Sequence, residues 1–93
     1  MYPVPIPEFI KTEPGVIDYK VDWSDWLGVD LITSSTWDIP VDLVMDSEEE
    51  TTTEATVWIS GGNLNTVYQL TNIIETINGR TDARSFNLII GVK

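Results

Sequence analysis

Carboxylates are the side chains here that could most readily do chemistry, with fifteen Asp and Glu against five Lys and Arg. Asp18, Asp22 and Asp25 recur at short intervals, with Asp30 and Asp38 nearby. Paired carboxylates can carry acid–base catalysis or bind Ca2+. A calcium loop sets its acids around a glycine turn and closes on a bidentate Glu, and this spacing does neither. These acids therefore read as solvent-facing groups and turn caps. A second run, Asp46, Glu48, Glu49, Glu50 and Glu54, could gather divalent cations only loosely. The stretch 46–54 is too charged to bury anything and reads as a solvated loop or hairpin tip.

Nucleophilic catalysis lacks its usual parts. Serines and threonines are plentiful, but there is no histidine to activate one and no cysteine. The only lysines are Lys11, Lys20 and Lys93, and none stands in a Ser-x-x-Lys pattern. Gly61-Gly62 lacks the lysine of a phosphate-cradling loop. The absence of cysteine also removes disulfides and thiolate metal sites. The expectation is a protein that is not an enzyme and has no cofactor, no metal and no catalytic residue.

Recognition chemistry is better supplied. Trp23, Trp26, Trp37 and Trp58 are a heavy tryptophan load for 93 residues. Trp23 and Trp37 fall on strand faces suited to a small core. Trp26 follows a turn, and Trp58 lies opposite in phase to Val57 and Ile59, so both are candidates for an exposed contact patch. Such a patch could instead stack on sugars. Arg80 and Arg84 flank Asp82 after the Asn78-Gly79 turn, which predicts a local Arg–Asp pairing at the hairpin tip or contact with an acidic neighbour. Tyr2, Val4, Ile6, Phe9 and Ile10 are interleaved with prolines in MYPVPIPEFIKTEPG.

The elements that would position these groups are strands. Four of the five prolines lie in residues 1–15. Proline fixes φ and lacks an amide hydrogen, so this stretch reads as an extended arm that cannot enter a sheet interior. It either packs along its own domain or docks on a neighbouring subunit. Residues 16–93 read as one domain. Ile17, Tyr19, Val21 and Trp23 alternate with Asp18, Lys20 and Asp22, a half-buried strand. Leu31, Thr33, Ser35, Trp37 and Ile39 share one face of the next strand, ended by Pro40. Ala55, Val57 and Ile59 alternate with Thr56, Trp58 and Ser60. Residues 68–77 carry apolar groups on both faces, as in the middle of a sheet. Asn78-Gly79 predicts a type I′ hairpin, and Phe86, Leu88, Ile90 and Val92 share one face of the last strand. No stretch shows an apolar helical period over 11 residues. Six or seven short strands with turns between them predict an all-β sandwich or barrel, and the fold expected is an antiparallel sandwich of six to eight strands.

The net charge of −10 opposes a phosphate backbone, so nucleic acid is not expected as a partner. No apolar run approaches the roughly 20 residues of a membrane span, and the first residues do not read as a signal peptide.

Residues 65–92, NTVYQLTNIIETINGRTDARSFNLIIGV, resemble the last two strands of immunoglobulin-like domains of the bacterial and phage type. Tyr68 stands where such domains place a buried tyrosine. Val16-Ile17-Asp18-Tyr19, Val21-Asp22-Trp23-Ser24-Asp25-Trp26-Leu27-Gly28, Ser34-Ser35-Thr36-Trp37, Trp58-Ile59-Ser60-Gly61-Gly62 and Asn78-Gly79-Arg80-Thr81-Asp82 through Phe86 resemble a family of small tailed-phage proteins. That resemblance covers roughly residues 12–92. It implies a virion structural protein of the fibre-to-tail adaptor or head-decoration type, located in the virion. It implies partners among tail, fibre or capsid proteins, met in many symmetric copies. The acidic run 46–54 departs from the family pattern. A capsid cement protein and a glycan-binding β-sandwich using Trp26 and Trp58 remain the alternatives.

Overall fold

A computed structural model describes residues 6–93. Tyr2 and Val4 lie outside the described residues. Seven strands and one helical turn follow in chain order: β1 (Glu8–Lys11), β2 (Ile17–Asp22), α1 (Ser24–Leu27), β3 (Ile32–Asp38), β4 (Leu43–Glu50), β5 (Glu54–Gly61), β6 (Val67–Thr76) and β7 (Thr81–Ile90). They form a sandwich of a four-stranded sheet, β1-β7-β6-β3, and a three-stranded sheet, β2-β5-β4. All pairs are antiparallel except β1 with β7. Among the described residues, no helix is long and apolar enough to cross a membrane.

The period-two alternation decides what is buried, because successive strand side chains point to opposite faces. Val57 and Ile59 of β5, Leu70 of β6 and Phe86, Leu88 and Ile90 of β7 meet between the sheets, with Tyr19, Leu43 and Tyr68. A second cluster joins Trp23, Leu27, Ile32 and Ile74 at one end. Phe9, Tyr19 and Phe86 form an aromatic triangle with centroids 5.3–5.6 Å apart. The Tyr19 hydroxyl and the Trp37 indole N–H are buried without a partner among the described residues. Burial, then the nearby Asp18 charge, pushes the Tyr19 phenol up to about 12.

At the opposite end, the Tyr68 hydroxyl accepts the Asn63 backbone N–H at 2.9 Å and donates to Asp42 at 3.3 Å, tying the β5–β6 loop to β6. Gly62 makes that loop possible. Its φ is 96°, and a Cβ there would stand 2.7 Å from Ile90 Cγ1.

Three expectations are corrected. The run 46–54 is not a loop: Asp46 to Glu50 lie in β4, and only residues 51–53 turn. As the sheet edge, β4 needs no apolar face, and its carboxylates guard unpaired backbone against further strands. The hairpin β6–β7 forms, but not through a type I′ turn. Gly79 has φ 83° whereas Asn78 is not positive, and the loop closes from Thr76 to Arg80. The Asp30 carboxylate binds the Asn78 N–H at 3.2 Å and favours this wider three-residue loop. Leu31 and Thr33 do not share the inner face with Trp37. A register shift between Ile32 and Ser34 turns Ile32 inward instead. Within the proline-rich stretch, residues 8–11 form β1, an edge strand of the sandwich, and Lys11 is fully buried. Its ammonium donates to the carbonyls of Thr12 at 2.7 Å, Glu13 at 3.3 Å and Gly15 at 2.8 Å, closing the β1–β2 turn. Burial lowers its pKa below the ordinary lysine value.

Candidate functional site

Two regions gather the polar and aromatic groups that the sequence singled out. The first is a corner where α1, the start of β3 and the β6–β7 loop meet. Trp23 is fully buried there and donates its indole N–H to Asn72 Oδ1 at 2.9 Å. Asn72 in turn donates to the Ser35 hydroxyl at 2.8 Å and the Thr36 carbonyl at 3.0 Å, so this buried amide is fully used. Arg80 binds Asp30 at 2.9 Å, donates to the Leu27 carbonyl at 2.9 Å, and lies 4.0 Å above the Trp26 ring. Trp26 also meets Trp23 edge-on at 5.4 Å.

Asp30 is not solvent-facing, in contrast to the expectation for the acids as a group: it is 2 % exposed. Burial pushes its carboxyl up. Hydrogen bonds from the Thr76 hydroxyl, the Arg80 guanidinium and the backbone N–H groups of Leu31 and Asn78 outweigh burial and hold the pKa at about 2. The expected pairing of Arg80 or Arg84 with Asp82 does not occur. Asp82 accepts its neighbour Ala83's N–H at 2.8 Å, while Arg80 reaches Asp30 across the corner. Arg84 donates to the Asp22 carbonyl at 2.9 Å and lies 4.3 Å above Trp23. The Ser24 N–H binds Asp22 Oδ1 at 2.9 Å, and that bond holds the Asp22 carboxyl below its usual range.

The second region is a groove of about 680 Å3 where the two sheets part, between β2 and the first half of β7. Ile6, Phe9, Val21 and Phe86 supply its apolar lining. Lys20, Arg84, Asp22 and Asp82 supply two charges of each sign. The groove exists because β1 is short. It pairs with β7 only from Glu8↔Asn87 to Lys11↔Ile90, so residues 81–86 have no strand on that side among the described residues.

The outer faces differ in charge. Strands β2, β5 and β4 carry seven acidic side chains and one lysine, Lys20. Lys20 reaches Glu54 at 3.7 Å, a solvent-exposed pair of little energetic weight. Trp58 lies on this face, 38 % exposed, opposite Asp18 and Ser47. The strands of the four-stranded sheet carry four acidic side chains and, apart from the buried Lys11, one basic side chain, Arg84. Across its outer face Ile10, Ile89 and Val67 are direct cross-strand neighbours.

Among the described residues no group of three or more metal-ligating side chains comes together. What the geometry offers is contact surface. A profile of the podophage GP4 fiber-tail adaptor protein gp77 family matches residues 11–89. The chain belongs to that family. It is a virion structural protein, an adaptor between tail and fibre that binds other tail or fibre proteins. No curated protein matches the sequence.

For this adaptor, the structure distributes the sequence candidates unevenly. Ile6, Phe9 and Arg84 come together at the groove. Ile10 is exposed beside it on the outer face of β1. Trp26 and Arg80 stack on each other in the tied corner, so one face of the Trp26 ring is covered. Trp58 stands alone among acids, and the two indoles form no common platform. Lys20, Val21, Ala83, Ser85 and Phe86 were missed as groove residues. Their alternation shows which face each takes, but no local signal shows where two sheets part.

Proposed function

We propose that the adaptor holds its neighbours through the apolar N-terminal stretch and the groove beside it. The observation that carries this reading is the set of Ile6, Phe9 and Ile10, which are 42 %, 43 % and 49 % exposed at the edge of an otherwise well-packed sandwich. Tyr2 and Val4 extend the same composition toward the N-terminus. Apolar side chains on a segment pre-extended by proline bind with little loss of entropy. Arg84 adds contact chemistry at this edge, Trp58 adds it on the outer face of the three-stranded sheet, and Trp26 with Arg80 adds a firm corner. Many copies arranged around a symmetric tail would repeat the contact. The role is assembly without catalysis, and a net charge of −10 favours protein partners over nucleic acid or membrane surfaces.

The immunoglobulin-like assignment belongs to the same proposal. Strands two, five and four oppose strands three, six and seven, as in constant-type immunoglobulin domains, and the Tyr68 corner resembles theirs.

The contact made by the N-terminal stretch is best tested with a short deletion. Removing residues 1–12 would take away β1, the Phe9 ring packing and the buried Lys11. Removing residues 1–5 spares all three. That variant is expected to unfold at the parent temperature and to lose incorporation into particles. Parental incorporation would remove the arm from the contact.

A further inference from the structure

We infer that the free edge of β7 at residues 82–86 receives an extended, proline-poor segment of a neighbouring tail or fibre protein as an added β-strand. This deepens the adaptor reading and rests on it.

The hydrogen-bond alternation of β7 sets the argument. Its even-numbered residues pair with β6, from Arg80 opposite Thr76 to Ile90 bonded to Thr66. Its odd-numbered residues turn the other way. Asn87 N–H binds the Pro7 carbonyl at 2.8 Å, and Gly91 N–H binds the Lys11 carbonyl at 2.9 Å. By the same alternation, the backbones of Ala83 and Ser85 face the groove. The Ala83 N–H is already taken by Asp82 Oδ1. The carbonyl oxygens of Ala83 and Ser85 remain with the Ser85 N–H, two acceptors against one donor, so this edge asks chiefly for donors.

The chain's own N-terminal stretch cannot supply them. Continuing the Glu8↔Asn87 register would set the nitrogen of Pro7 toward the Ser85 carbonyl and that of Pro5 toward the Ala83 carbonyl. Neither nitrogen carries a hydrogen. The alternate prolines thus oppose a longer β1 ladder along residues 82–86, which carry no strand on this side among the described residues. A second copy's N-terminal stretch would bring the same prolines. An exposed edge of this kind is normally covered or guarded. Here the guards, Lys20 and Arg84 with Asp22 and Asp82, balance in sign and leave a neutral entrance on a strongly acidic chain. The floor of Phe9, Val21 and Phe86 would take an apolar side chain from the incoming strand. Strand addition supplies affinity from the backbone and specificity from that pocket.

The chain has no cysteine, so a single Ala83→Cys substitution creates one labelling position. Particles grown without the adaptor are to be complemented with purified Ala83→Cys protein, free or blocked with a bulky maleimide. Val41→Cys, labelled alike in the exposed β3–β4 loop, is the control. Blocking residue 83 is expected to lower incorporation at least tenfold, with the thermal midpoint unchanged and the Val41→Cys control unaffected. In the assembled tail, the Ser85 amide, which faces the groove, is expected to gain hydrogen-exchange protection. Equal incorporation of blocked and free Ala83→Cys, or no gain in protection in assembled particles, overturns the inference. Neither result bears on the arm, because deletion of residues 1–5 reads that contact separately. Absence of the parent protein from complemented particles would overturn both readings.

Discussion

The tied corner and the open groove lie close together and are built on opposite plans. In the corner, groups far apart in sequence are bonded to one another. Trp23 binds Asn72, Asp30 binds Arg80, and the Arg84 guanidinium reaches across to the Asp22 carbonyl. At the groove the two sheets separate, and no ladder joins β2 to β7. A corner whose polar groups are satisfied by distant partners can be rigid without a larger core, which matters in a domain of 93 residues. An edge left open beside it is held in shape while its own backbone stays available. That pairing suits an adaptor, which must present a surface that does not close on itself.

If the comparison is right, substitutions in the corner cost stability and those at the edge do not. The largest effect is expected from Trp23→Ala, about 3–5 kcal/mol by denaturant unfolding, because a fully buried indole leaves a cavity and an unpartnered Asn72. A loss under about 1 kcal/mol would break the picture of a tied corner.

A smaller, pH-dependent effect is expected from Asp30→Asn. The folded carboxyl titrates at about 2 and an unfolded one near 3.8, so the unfolded chain binds more protons between those values. The stabilisation is therefore complete above about pH 4 and fades as the pH falls toward about 2. Thermal melts of parent and variant should differ most near neutral pH and converge in that acid interval. A gap that stays constant down to pH 2 would show that the Asp30 charge contributes nothing.

The smallest effect is expected from Ala83→Arg at the open edge, within about 0.5 kcal/mol of the parent, since an exposed strand position with free space bears little packing. A substantially larger loss would mean that the edge is part of the fold's own packing.

Much of the fold was legible because alternation is a local signal. Ala55, Val57 and Ile59, and then Phe86, Leu88 and Ile90, occupy the inner faces that period two assigns them, whereas Val92 lies beyond the end of β7 and is exposed. Tyr68 is buried where the resemblance to immunoglobulin-like domains places a tyrosine. The acidic run misled because composition reports solvation and not backbone shape: an edge strand can be as wet as a loop, and Asp46 to Glu50 are both strand and exposed. Ile32 was missed because a single extra residue reverses the alternation beyond it. Of the candidate site, Ile6, Phe9 and Arg84 were legible as exposed apolar or basic groups, while Lys20, Val21 and Phe86 read only as strand residues.

By itself, the sequence determined that the chain would be an all-β sandwich with a proline-interrupted first stretch, since alternation and the missing amide hydrogens act within a few residues. Tertiary structure alone decided that Arg80 takes Asp30 in place of Asp82. Asp82 is satisfied by the adjacent Ala83 N–H, and only the folded corner brings Asp30 within reach, 50 residues away in sequence. Tertiary structure also decided where the groove opens, because the distance between two sheet edges depends on where β1 stops along β7, and pairing across the whole molecule sets that register.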